Sequence, residues 1–85
     1  MGVGDAYAQA IQALKNIQKA LTAAGASLGH VVQTRIYLTD MGCADEVARA
    51  HREFFGKVKP AATMIEVPRL VDERMLVEIE AVAVL

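Results

Sequence analysis

From Met75 to Leu85 the chain reads MLVEIEAVAVL, a run in which only Glu78 and Glu80 are not apolar. Such a stretch suits a buried strand, and a strand's side chains alternate between its two faces. Glu78 and Glu80 therefore point the same way, about 7 Å apart. Val77, Ile79, Ala81 and Ala83 share the other face, where the two alanines would let helices pack closely. The glutamate face also carries Leu76, Val82 and Val84, so it too has to find something to cover it.

The rest of the chain supplies the helices. From Asp5 to Ala24 the apolar residues Tyr7, Ala10, Ile11, Leu14, Ile17 and Leu21 recur mostly every three or four positions, with Gln9, Lys15 and Lys19 elsewhere. This predicts an amphipathic helix, with Asp5 as its N-cap and Gly25 as its stop. VVQTRIYLT, Val31 to Thr39, is β-branched and aromatic and predicts a strand. Val32, Thr34, Ile36 and Leu38 would lie on one face, and Val31, Gln33, Arg35 and Tyr37 on the wetter one. A second helix follows, with Val47, Ala50, His51, Phe54 and Phe55 at helical spacing and Gly56 as its end. A strand from Ala61 to Val67 and the closing strand complete the order α-β-α-β-β. The loop between them contains Pro68, which cannot continue a central ladder. Three strands and two one-sided helices make an α+β layer with the helices on one sheet face.

A chain of 85 residues is one domain, residues 1–85, near the lower limit for a self-sufficient core. It is 54% hydrophobic, which leaves more apolar surface than a monomer easily covers, so an oligomer is expected. Nine Lys and Arg against 10 Asp and Glu give no bulk positive field, so nucleic acid is not an expected partner. A lone Cys43 cannot form an internal disulfide and fits a cytoplasmic location. No run is long and apolar enough to span a bilayer, so no membrane association is expected. The opening MGVGDAYAQA lacks the basic and apolar regions of a secretory signal. Its Met-Gly start has Ala6 where an acylation signal wants Ser or Thr. His30 and His51 are isolated, without a Cys or Glu set at ligand spacing, and are expected on the surface or helix flanks; no metal is implied. No glycine-rich phosphate loop or nucleophile elbow appears, and no cofactor is implied.

Three segments, VVQTRIYLTDMGCADEVARAHREFFG, KPAATMIEVPRL and VEIEAVAV, closely resemble the Rid family of reactive intermediate deaminases, also called YjgF-type. The preceding ALTAAGASLGHVV matches as well, so the resemblance covers essentially the whole chain. It implies a chorismate-mutase-like α+β subunit in a homotrimer, with small-molecule clefts between subunits. The family normally begins with a β-hairpin, whereas this chain starts just before the first helix. A missing front segment is therefore expected, with altered oligomerisation as a possible result.

The resemblance also implies site residues. Family members that hydrolyse enamines or imines use a glutamate in the last strand to position water, corresponding to Glu78. They grip the substrate carboxylate with an arginine right after the PA, a position held here by Ala62. A methyl group cannot replace a bidentate guanidinium, which counts against the usual amino-acid-derived substrate. Thr63 and Met64 follow beside the cleft; Thr63 offers a hydroxyl or is simply a strand residue, and Met64 stands where some relatives carry a cysteine. Arg35, with Gln33 and Tyr37, could bind an anion in place of the missing arginine or be an interface cation. Glu78 could alternatively form an intersubunit ion pair with an arginine such as Arg35 or Arg69, while Glu80 is expected to be structural. Cys43 opens the second helix without an evident base and is read as a bystander.

Two functions follow as expectations. One is a hydrolase or deaminase acting on small enamine or imine intermediates. The other is a non-catalytic module of the same fold that binds a small ligand or a partner. A ribonuclease role is the weakest class, given the net charge of −1 and the lack of an aromatic strip for stacking bases.

Overall fold

A computed structural model describes residues 5–85, so the opening residues read above for signals lie outside it. Helix α1 runs from Ala6 to Ala23, and the Asp5 carboxylate accepts a hydrogen bond from the Ala8 amide at 3.0 Å. That bond satisfies one of the amides a helix start leaves without a partner. Past its end Gly25 takes a φ of 81°, the left-handed region a glycine enters without penalty. Strand β1 spans Val31–Leu38, α2 Ala44–Phe55, β2 Ala61–Glu66 and β3 Val77–Ala83. The predicted elements are all present; the closing strand is shorter than the apolar run at both ends.

The sheet order is β2-β1-β3, with β1 parallel to β2 and antiparallel to β3. A parallel pair needs a crossover, and α2 supplies it. Before α2, the Asp40 side chain accepts from the Gly42 amide at 2.8 Å. Asp45 and Glu46 then complement the dipole in the first helical turn. The core is one cluster on the helix side of the sheet: Ala6, Ala10 and Leu14 from α1, Val31, Ile36 and Leu38 from β1, Val47, Ala50 and Phe55 from α2, and Val77 from β3. Strand β2 contributes no fully buried residue. The helices are joined across their outer ends, where the Tyr7 hydroxyl donates to Glu53 and the Arg49 guanidinium lies 4.2 Å from the Tyr7 ring centroid.

Three expectations need correction. First, Val31 is buried and Val32 is half exposed, the reverse of simple alternation. Val31 pairs with Ala83 and Gln33 with Val82, so β1 advances two residues while β3 advances one. The resulting bulge places Val31 in the core and turns Val32 out. Second, Gln9 is only 5% exposed. Its Nε2 donates to the Arg74 carbonyl at 3.0 Å and its Oε1 accepts from the Leu76 amide at 2.7 Å. The side-chain amide serves this backbone as a neighbouring strand would, which makes burial tolerable.

Third, Leu76 precedes β3 and packs against the core instead of sharing the glutamate face. His51 lies on the flank of α2, one of the two places expected for it. It is half-buried, its Nε2 lies 2.9 Å from the Thr34 hydroxyl, and its ring packs tilted against that of Phe55, with centroids 4.9 Å apart. Among the described residues no helix is long and apolar enough to cross a membrane.

Candidate functional site

The sheet has an uncovered face, and the strand registers decide what it displays. Tyr37 pairs with Glu78, Arg35 with Glu80 and Gln33 with Val82 on one side of β1. On the other side Arg35 pairs with Thr63 and Tyr37 with Ile65. The polar strip Gln33, Arg35, Tyr37 expected from alternation is therefore flanked by both glutamates and by Thr63. Val32 at 50% exposure, Ile65 at 39% and Val82 at 52% surround this polar patch with apolar surface. A shallow hollow of about 170 Å³ lies among Gln33, Arg35, Glu80, Ala81 and Val82.

The two glutamates differ in what they already do. Glu80 accepts a hydrogen bond from the Tyr37 hydroxyl at 2.5 Å. That bond to a carboxylate raises the Tyr37 pKa, with burial adding to it and the neighbouring Arg35 opposing it. Glu78 is half-buried, and its carboxylate has no hydrogen bond or ion pair among the described residues. The one ion pair among those residues joins Arg74 to Asp72, and Arg74 holds the Asp72 carboxyl down at about 2. Neither Arg35 nor Arg69 meets Glu78 within the chain.

Ala62 and Met64 stand elsewhere. In the β1–β2 register they pair with Thr34 and Ile36, both buried on the helix side. They line a groove of about 240 Å³ between β2 and α2, together with Ile36, Ala48, His51, Arg52 and Thr63. Thus Glu78, Arg35 and Thr63 share one face, while Ala62 and Met64 belong to the other; only Thr63, on the edge strand, touches both surroundings. A strand's alternation makes this separation unavoidable for three consecutive residues.

Burial lowers the His51 pKa, so the imidazole in the groove wall is held neutral. Sequence reasoning passed over His51 and Arg52. The available signal was helical spacing: His51 lies four residues after the buried Val47, and Arg52 four after Ala48.

The chain matches the family model described as Endoribonuclease L-PSP over residues 1–85. It is 42% identical over 80 residues to a RutC family protein of Pyrococcus horikoshii, covering 94% of this chain and 63% of that one. It thus spans less than two thirds of the length of that relative. It is 35% identical over 83 residues to the 2-iminobutanoate/2-iminopropanoate deaminase of Escherichia coli, covering 94% of this chain and 64% of that protein. Among solved structures, a YjgF/YER057c/UK114 family member from Mycobacterium tuberculosis superposes with a TM-score of 0.97 at 46% identity, covering 100% of this chain and 71% of that one. With the helices, the mixed sheet and the match over its whole length in agreement, the chain belongs to the YjgF/RutC/Rid family.

Proposed function

We propose that this protein hydrolyses a small imine or its enamine tautomer, with Glu78 orienting the attacking water. The observation that carries this reading is the contrast between the glutamates: Glu80 is occupied by Tyr37, whereas the Glu78 carboxylate is free to hold water. The names of the deaminase relatives support the reaction class. Water adds its oxygen to the imine carbon and a proton to the nitrogen, giving a carbinolamine. Breakage of its C–N bond, with transfer of the hydroxyl proton to nitrogen, leaves ketone and ammonia. A carboxylate beside the water accepts one of its protons as the C–O bond forms and passes it to the imine nitrogen, then takes the carbinolamine hydroxyl proton and delivers it to the departing amine as the C=O bond forms.

One chain leaves Glu78 on an open sheet face, so the site is completed by neighbouring copies, and we place the protein as a homotrimer with the cleft between subunits. A reducing, cytoplasmic setting fits Cys43, a free thiol whose pKa is raised by burial and nearby acidic groups. The test is ammonia release from freshly generated 2-iminobutanoate. Glu78→Gln is expected to lower kcat by roughly a hundredfold, and Glu80→Gln by much less. An unchanged rate in Glu78→Gln overturns the assignment.

A second reading is a non-catalytic small-ligand or interaction module. It is favoured by the exposed methyl of Ala62, which gives the β2 edge no cation to grip a carboxylate. Saturable binding of a 2-oxo acid without turnover of any imine supports this reading, and turnover excludes it.

A further inference from the structure

Between α1 and β1 the chain makes a single 3-10 turn, Leu28–His30, and the bonds that close it depend on the charge of one ring. The Ser27 amide donates to the His30 Nδ1 at 3.0 Å, and the Ser27 hydroxyl lies 3.2 Å from the same nitrogen. A backbone amide can only donate, so Nδ1 carries the lone pair and the proton of the neutral ring sits on Nε2. In return the His30 amide donates to the Ser27 carbonyl at 3.0 Å. The turn also holds its neighbours. The His30 carbonyl accepts from the Val84 amide at 2.9 Å, just past the end of β3, and Leu28 packs against the core. The bulge that buries Val31 and turns Val32 out begins at the next residue.

Protonation places a hydrogen on Nδ1. The nitrogen then has no lone pair to offer, two donors face each other, and the Ser27 amide loses its acceptor. The charged groups of the surrounding elements leave this conflict in place. Helix α1 carries no charged residue after Lys19, and the first charged residue of β1 is Arg35 and the last of β3 is Glu80. The last turn of α2 and the loop after it bring Arg52, Glu53, Lys57 and Lys59. None of these bonds or pairs with His30 among the described residues. We propose that His30 is a proton-sensitive latch: taking up a proton releases the turn from Ser27 to His30 and frees the Val84 end of β3 from its bond to the start of β1. The latch does not rest on the catalytic reading of Glu78.

The test is an NMR titration of the chain from about pH 8 to about pH 5, the span over which an imidazole takes up its proton. At the alkaline end the ring nitrogen shifts are expected to place the His30 proton on Nε2. As the ring titrates, the Ser27 and Val84 amide shifts are expected to follow it with the same midpoint. The hydrogen-exchange protection of Val84 is expected to fall roughly tenfold further than that of Ile36, a core residue of β1. His30→Asn sets an acceptor oxygen near the place of Nδ1 without a titrating group, so in that variant the protection of Val84 should change no more than that of Ile36; retained shift dispersion shows that it is folded. Overturning results are a proton on Nδ1 at the alkaline end, Ser27 and Val84 amides that ignore the His30 titration, a loss of protection shared equally with Ile36, or a selective loss at Val84 that persists in His30→Asn.

Discussion

His51 occupies a position where one side chain touches core, hydrogen-bond network and groove. Burial disfavours its charged form, so the folded-state pKa lies below the ordinary 6.5. The sign for stability follows from linkage. The unfolded chain binds this proton more readily, so the native state keeps the full benefit of a neutral His51 above the unfolded pKa. It loses that benefit as the pH falls through the lower, folded pKa. The urea midpoint of the native protein is therefore expected to drop as the solution is acidified below about pH 6.5. In His51→Gln this part of the drop should be absent, and an identical pH profile in both proteins would remove His51 as its source. Asp72 behaves as a carboxylate should: with its pKa held at about 2 by Arg74, its contribution is present above the unfolded value of 3.8 and fades only in strong acid.

At the scale of elements, the tie between α1 and the segment leading into β3 is the feature least expected from composition. Gln9 supplies both a donor and an acceptor to backbone 65 and 67 residues away. Replacement by leucine fits the apolar surroundings but leaves the Arg74 carbonyl and the Leu76 amide without this partner. The expected cost of Gln9→Leu is roughly 2 kcal/mol, read as a lower urea midpoint at unchanged slope. Glutamate at this position keeps the acceptor but loses the donor and adds a buried charge, so Gln9→Glu should cost at least as much. A leucine variant as stable as the native protein would show that solvent or rearrangement satisfies that backbone. The bulge in β1 works at the same scale, because one extra residue moves Val31 into the core and Val32 to the outer face without disturbing the pairs from Gln33 to Leu38.

For the whole molecule the unfinished business is the uncovered sheet face. Val32, Ile65 and Val82 expose apolar area around a strip of charged and phenolic groups, and β2 closes the sheet with no fully buried side chain. Such a surface is stabilised when a second copy covers it. Light scattering is expected to give three times the 9.1 kDa chain mass. Val82→Asp, which adds a charge to the apolar part of that face, is expected to shift the mass towards one chain while the helix content stays. A native protein that remains monomeric at high concentration would show that the Glu78 face is not completed by copies of this chain alone.

Much was legible in the sequence because it rests on short-range rules. The cap at Asp5, the glycine turn at Gly25, the helical stripe of α1 and the shared face of Glu78 and Glu80 each depend on residues a few positions apart. The family, too, was readable from contiguous motifs such as KPAATMIEVPRL and VEIEAVAV. Tertiary structure decided the rest. Strand order and register determine that Tyr37 reaches Glu80 and leaves Glu78 free, that Ala62 and Met64 face α2 while Thr63 stands beside Arg35, and that Val31 and Val32 exchange faces at a bulge. The burial of Gln9 and His51 depends on partners far away in the chain, at Arg74, Leu76 and Thr34. Periodicity sorts side chains by polarity. Whether a polar side chain can be buried depends on which distant donor or acceptor the fold brings within hydrogen-bond reach.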